Sequence, residues 1–249
     1  MTLNFLIAPD FAPERFAGWH MLNTALQRRS GIKLHLLTPA SPAEQSRAIE
    51  AGQVDLIYAN PFDAAGMVRD KGYIPFARPR MAFDEMVIAC AASSPATRVE
   101  DLRPGARIAL TDNRDVKLIG LRLLEPADLA ESDIQWVAVD SYQAVARLAL
   151  RAEVEAAFFL AQAYASLGRM TRSQLKVLVE SRIRDISHVV LAHPRVADQL
   201  PQISAALLGI GGDAAGLEVL EALGLPAGFE PMTQEDAEFM IDLMDTLLD

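Results

Sequence analysis

The chain holds 249 residues, 51% of them hydrophobic, which suits one large or two modest folded units and excludes a disordered chain. Its 33 acidic and 23 basic residues leave a formal net charge of -10. That balance excludes the lysine- and arginine-rich surface that nucleic-acid phosphates require, and it disfavours docking on anionic lipid. Cys90 is the one cysteine, so no internal disulfide can form.

In chain order, Leu3–Ala8 reads as a buried strand, and Glu14 to Arg29 as a helix with Phe16, Trp19, Leu22 and Leu26 on one stripe. Ser30-Gly31 ends that helix, Ile32 to Leu37 gives a second strand, and Pro42 to Ala51 a second helix. Val54 to Tyr58 is a third strand, and Pro61 opens the next helix where its missing N–H costs nothing. This βαβαβα order implies a parallel sheet flanked by helices. Tyr73–Ala77 and Glu85–Ala91 are then extended with no helix between them, and Ser93-Ser94-Pro95 marks a loop.

A second α/β run follows: strand Arg107–Leu110, helix Asp115 to Leu124, strand Ile134–Val139, helix Ser141–Arg151 and strand Glu155–Leu160. Lys176–Val179 and Ile186–Ala192 are further extended runs, and helices are expected at Arg195–Leu208, Leu217–Leu223 and Gln234–Leu247. In the last of these, Phe239, Leu243 and Leu247 form the expected core stripe. The fold class is α/β with two lobes: residues 1–82 with 187–249, and residues 83–186. Two extended hinge crossings, near 80–92 and 183–192, are expected to join them.

Ligands of open α/β sheets sit beyond the carboxyl ends of the strands, so the residues that follow each strand are the site candidates. Asp10 and Phe11 follow the first strand, and Tyr58 and Asn60 close the third, where Asn60 also suits a helix cap. Thr111, Asp112 and Lys117 bridge a strand end and a helix start; Ser141 and Tyr142 hold the same position one unit later, and Gln162 follows an apolar strand. No metal or cofactor is expected. His188 and His193 lack a third ligand, and the glycine-rich Gly209–Gly216 follows a helix, lacks the Lys-Ser/Thr pair, and reads as a flexible linker. Cys90 lies in an apolar run and reads as an inert buried thiol.

The order of segments resembles the phosphate/phosphonate substrate-binding proteins of ABC transporters (PhnD-like). Five stretches carry the resemblance: Leu3–Ala8 with Trp19, Gly52-Gln53-Val54-Asp55-Leu56, Ser94-Pro95, Val99-Glu100-Asp101-Leu102, and Leu220-Glu221-Ala222-Leu223-Gly224 with Phe229. The resemblance implies a type II periplasmic-binding-protein fold, each lobe a mostly parallel sheet flanked by helices, that closes on a small polar or anionic molecule. It also implies a role as transporter receptor or ligand sensor, with an ABC permease or a signalling protein as partner. The family's hydroxyl-rich, phosphonate-cradling turn is absent from Thr111-Asp112-Asn113-Arg114-Asp115-Val116-Lys117, so the fold and the binding role carry over and the phosphonate does not.

The alternative is a cytoplasmic biosynthetic enzyme on the same fold, resembling the menaquinone-route proteins, with Asp10, Asp84 or Asp112 as acid or base. The N-terminus shows no basic head and apolar stretch of a secretory leader. A cytoplasmic location is expected if the chain is complete as written, and a periplasmic one if a leader was trimmed. No run approaches the roughly 20 apolar residues of a membrane span, so no direct insertion is expected.

Overall fold

Strand β1 (Thr2–Ile7) is followed by α1 (Phe16–Ser30), β2 (Lys33–Leu37), α2 (Pro42–Glu50), β3 (Leu56–Ala59), α3 (Pro61–Lys71) and β4 (Ile74–Pro79) in a computed structural model that describes residues 2–246. Next come β5 (Met86–Ala91), β6 (Arg107–Leu110), α4 (Arg114–Leu123), β7 (Gln135–Ala138), α5 (Tyr142–Leu150), β8 (Ala156–Leu160), α6 (Ala161–Ser166), α7 (Arg169–Ser173) and β9 (Leu175–Glu180). The chain ends with β10 (Val189–Ala192), α8 (Leu200–Leu208), α9 (Ala214–Leu223), β11 (Phe229–Pro231) and α10 (Gln234–Thr246). Residues up to Phe83 together with Ser187–Met244 form one unit, and Asp84–Ile186 form the body of the other.

The first unit holds a six-stranded sheet in the order β11-β4-β10-β3-β1-β2, the second a five-stranded sheet in the order β7-β6-β8-β5-β9. Both sheets are mixed and not mostly parallel as expected, because β4, β10 and β11 in the first and β5 and β9 in the second pair antiparallel. Strand β1 pairs in parallel with β2 and β3, and β6 with β7 and β8, as the βαβ order requires. Strands β10 and β5 run antiparallel to β3 and β8, which extended segments without a preceding crossover helix are free to do.

Burial on both faces explains the unbroken apolar runs of the second sheet. From β5, β6 and β8, Met86, Ile88, Ile108, Leu110 and Phe158 join Val116 and Ile119 of α4 in one core cluster. The alternate residues Val87, Ala89, Ala109, Ala157 and Phe159 join Val145, Ala146 and Ala149 of α5 in another. Gly120 lets α4 approach: a Cβ there would lie 2.2 Å from the Phe158 ring. In the first unit, Leu3, Phe5 and Ile7 of β1 share a cluster with Trp19, Leu22 and Leu26 of α1.

Three expectations change. Phe16 is 47% exposed, because α1 begins at this residue and its buried face is Trp19, Leu22 and Leu26. Helix α10 turns Ala237, Met240, Ile241 and Met244 inward and leaves Phe239 61% exposed, while Leu247 lies outside the described residues. Both stripes have helical spacing, and the chosen one buries three long apolar side chains together. The glycine-rich segment is ordered: Ile210–Gly212 forms a 3-10 turn and Asp213 caps α9 by accepting from Gly216 N–H at 2.8 Å. A Cβ on Gly216 would lie 1.6 Å from the Ile210 carbonyl oxygen, a clash with backbone that no rotamer relieves. Gly216→Ala is therefore expected to cost about 1–3 kcal/mol through overpacking, read as a lower urea midpoint.

The amino ends of the first sheet are tied by a polar clasp. Asp55, 4% exposed, accepts from the Arg195 Nε at 2.6 Å and from the Asn4 N–H at 2.7 Å. The remaining Arg195 donors reach the carbonyls of Gly52 and Val54, each at 2.9 Å, and the Tyr73 hydroxyl also donates to Val54 at 2.9 Å. The Val54 carbonyl is thus taken by Arg195 and Tyr73, while the Asp55 N–H and carbonyl still bond Asn4 and His193 across the sheet.

Beside the clasp, burial and the Arg195 charge hold the His193 pKa below its ordinary 6.5, against the pull of Asp55. Asp236 is lowered from 3.8 by hydrogen bonds from the Thr233 N–H and hydroxyl. A histidine lowered on folding binds its proton more readily when unfolded, so stability is lost as pH falls below 6.5. A lowered carboxylate contributes stability above 3.8 that is lost as pH falls through its folded value. The melting temperature is thus expected to fall in two stages on acidification, and His193→Gln to remove the earlier one in a pH series of thermal melts.

Candidate functional site

The topology brings the carboxyl ends of β1 and β3 beside the start of β10, because β10 runs antiparallel with Val189 opposite Ala59. Asp10, Tyr58, Asn60 and His188 therefore meet at one edge of the first sheet. His188 Nε2 lies 3.2 Å from Asp10 Oδ2, and its ring stacks on Tyr58 at 4.9 Å and 18°. Trp19 packs the Tyr58 ring at 4.7 Å, and Phe11 packs Trp19 edge-on at 6.2 Å and Phe16 at 6.5 Å. An aromatic row thus runs from the exposed Phe16 inward to the Asp10–His188 pair.

Asn60 plays the cap expected of it, its Oδ1 accepting from Asp63 N–H at 2.9 Å while its Nδ2 donates to Asp63 Oδ2 at 2.8 Å. Buried Gln45 of α2 donates to the same Asp63 oxygen, so α2 and α3 together fix the Asn60 amide. Although the Asp10 side chain stays 25% exposed, desolvation by the surrounding protein is the largest influence on it and pushes its pKa up. The His188 charge and hydrogen bond, the Asp10 N–H and the Asn60 amide together outweigh that push and hold it below 3.8. Asp10 is accordingly ionised at neutral pH, and its stability contribution is lost only as pH falls below 3.8. Two buried polar atoms, Trp19 Nε1 and Ser187 Oγ, have no hydrogen-bond partner among the described residues.

His188 is the residue that sequence reasoning missed. The sequence offers it only as a poor zinc ligand, whereas its signal lies in position: it precedes the strand that returns beside β3. Among the described residues no group of three or more His, Cys, Asp or Glu could hold a metal ion. Two concavities of this unit lie elsewhere. One of about 260 Å³ lies between α3 and α10, lined by Arg69, Glu238 and Asp242, and another of about 380 Å³ by Arg29 and Gln202. Neither lies at the carboxyl ends of the strands, and the strand edge is taken as the site.

In the second unit, Thr111 and Asp112 follow β6, Ser141 follows β7 and Gln162 lies in the first turn of α6, after β8. Thr111 is half-buried, and Asp112 and Gln162 are exposed. Ser141 caps α5, accepting from Ala144 N–H at 3.2 Å, and Tyr142 packs its ring against Phe159 at 6.2 Å. Lys117 does not join the loop. Its ammonium pairs with Glu131 at 2.5 Å and lies 5.0 Å from the Trp136 ring centroid. Asn113 caps α4, whose first turn holds Arg114 beside the buried Asp115. At the same edge Glu85 accepts from the Ser181 hydroxyl and, at 2.7 Å, from the Arg184 N–H.

Residues 5–237 match the family model described as ABC transporter, phosphonate, periplasmic substrate-binding protein. No curated protein matches the chain. Among solved structures, the binding protein component of an ABC phosphonate transporter from Pseudomonas aeruginosa is similar at 14% identity and TM-score 0.79, covering 98% of this chain and 86% of that one. PhnD1 from Prochlorococcus marinus in complex with methylphosphonate is similar at 10% identity and TM-score 0.81, covering 99% and 98%. The periplasmic aliphatic sulphonate binding protein SsuA from Escherichia coli follows at 16% identity and TM-score 0.66, covering 98% and 87%. At these identities the likeness concerns the fold, while the family match spans most of the chain. With its two mixed α/β units and polar strand edges, the chain belongs to the phosphonate periplasmic substrate-binding protein family of ABC transporters.

Proposed function

We propose that the chain is the receptor of an ABC importer, that it binds a small polar or anionic solute at its strand-carboxyl edges, and that it releases the solute unchanged. The observation that carries this reading is the convergence of Asp10, Tyr58, Asn60 and His188 at one edge of the first sheet. Asp10, Phe11, Tyr58 and Asn60 belong to that edge, and Thr111, Asp112, Ser141 and Gln162 are the corresponding candidates of the second unit; Tyr142 supports them by packing. The crossings at Phe83–Asp84 and Ile186–Ser187 act as the hinge, and closure on the solute is selected from a pre-existing open form. The partner is a membrane permease that accepts the loaded form.

A thermal-shift screen with alkylphosphonates, alkylsulfonates, phosphate, amino acids and carboxylates tests the proposal. A bound solute at 100-fold its Kd adds about 2.7 kcal/mol of stability and moves the melt by several degrees. Mass spectrometry of the released solute is expected to return it intact. Recovery of a transformed product would instead favour the enzyme reading, in which Asp10 and His188 form an acid–base pair.

A further inference from the structure

We propose that Asn60 is a positioning residue of this edge and not a solute contact: held by Asp63 and Gln45, its amide fixes the Asp10 carboxylate and acts on the solute only through it. The inference rests on the receptor reading above and adds the role of Asn60 and of the two residues behind it.

An asparagine amide has two N–H donors and one carbonyl acceptor, and here each has a protein partner. Oδ1 accepts from the Asp63 N–H at 2.9 Å, and Nδ2 donates one hydrogen to Asp63 Oδ2 at 2.8 Å. The same side chain hydrogen-bonds the Asp10 carboxylate, which only accepts, so that bond takes the second hydrogen. A flipped amide would set Nδ2 against the Asp63 N–H and Oδ1 against two carboxylates, donor on donor and acceptor on acceptor. One orientation is therefore imposed, and it leaves no N–H of Asn60 for a solute.

Gln45 shows that this orientation is held at a cost. It is 2% exposed, its Nε2 donates to Asp63 Oδ2, and its Oε1 is buried with no hydrogen-bond partner among the described residues. An unpaired buried oxygen lowers stability, and a methionine of similar length would avoid that loss. What the glutamine supplies is a donor that steadies the Asp63 carboxylate against the Asn60 amide. Helix α2 thereby reaches the strand edge through Asp63 and Asn60. At the far end of the row, the Asp10 side chain stays 25% exposed and lies 3.2 Å from His188 Nε2. The carboxylate, and not the amide, is the member of the row that a solute meets.

Side-chain amide exchange tests the first half of the proposal without any solute. Both Asn60 Nδ2 hydrogens are expected to exchange slowly with water at pH 7, read by ¹⁵N–¹H NMR, because both are bonded. Gln45→Met is expected to quicken that exchange, a local readout that a merely space-filling role would not move. Fast exchange of either hydrogen in the wild-type protein means that Asn60 keeps a donor for the solute; it overturns the proposal and leaves the receptor reading intact. Asn60→Ser tests the second half, since serine caps a helix as well as asparagine but lacks the amide. It is expected to melt near wild type. Its Kd for the compound of the thermal-shift screen that raises the melt most is expected to rise about tenfold by calorimetric titration, the worth of one hydrogen bond to a charged group. In an Asp10→Asn background the same change is expected to weaken binding no further, because nothing remains for it to act through. Additive losses would mark Asn60 as a direct contact and overturn the proposal. If no compound of the screen binds, the receptor reading falls and the positioning role falls with it.

Discussion

Replacing Arg195 with alanine is expected to cost about 3 kcal/mol of stability, the lower end of the range for breaking a buried ion pair from one side. The asymmetry of the pair sets the magnitude. The Asp55 side chain is 6% exposed, whereas that of Arg195 is 35% exposed and sheds part of its desolvation cost to water. After the substitution Asp55 retains the Asn4 N–H but loses its counter-charge, and the Gly52 and Val54 carbonyls lose their guanidinium donors. Adding Asp55→Asn to the variant should cost less than the two single losses combined, because the second change removes the stranded charge. Urea unfolding of the four proteins reads this directly. Additive losses would show that Arg195 stabilises through its backbone contacts and not through Asp55.

Tyr58→Ala is expected to lower stability by about 3–5 kcal/mol, the range for removing a large aromatic from a core. The ring is 8% exposed and fills the space between Trp19 and His188. Tyr58→Leu retains most of the apolar volume and isolates the aromatic contribution, about 0.5–1.5 kcal/mol for each ring pair beyond area. Solute binding should suffer in both variants, because the Tyr58 face orients the His188 imidazole. If Tyr58→Leu binds the solute as wild type does, orientation comes from Asp10 alone. The melt and the calorimetric titration separate the two effects.

The caps were visible in the sequence. Asn60 before Pro61 and Ser141 before α5 are residue types whose short side chains accept from a nearby N–H, and both do so. Buried strands β1, β5, β6 and β8 were equally plain as short apolar runs. These are local properties, decided within a few residues of chain. Tertiary structure settled the rest. Which of two equally spaced stripes α10 buries depends on the surface it meets, and pattern alone favoured the exposed Phe239.

The site divides along the same line. Asp10, Tyr58 and Asn60 were legible because each follows or ends a strand in a βα unit, and strand ends are where such sheets carry ligands. Lys117 looked equally well placed, but a long flexible side chain follows charge, and Glu131 with Trp136 claims it. His188 carried no local signal. It stands 178 residues from Asp10, and only the antiparallel insertion of β10 against β3 brings the two together. Sequence by itself determined the α/β class, the order of the elements and the strand-end positions, because periodicity and capping act over one or two turns of chain. The long-range pairing of strands decided the Asp10–His188 contact, since hydrogen-bond register between distant segments is written in no single stretch of residues.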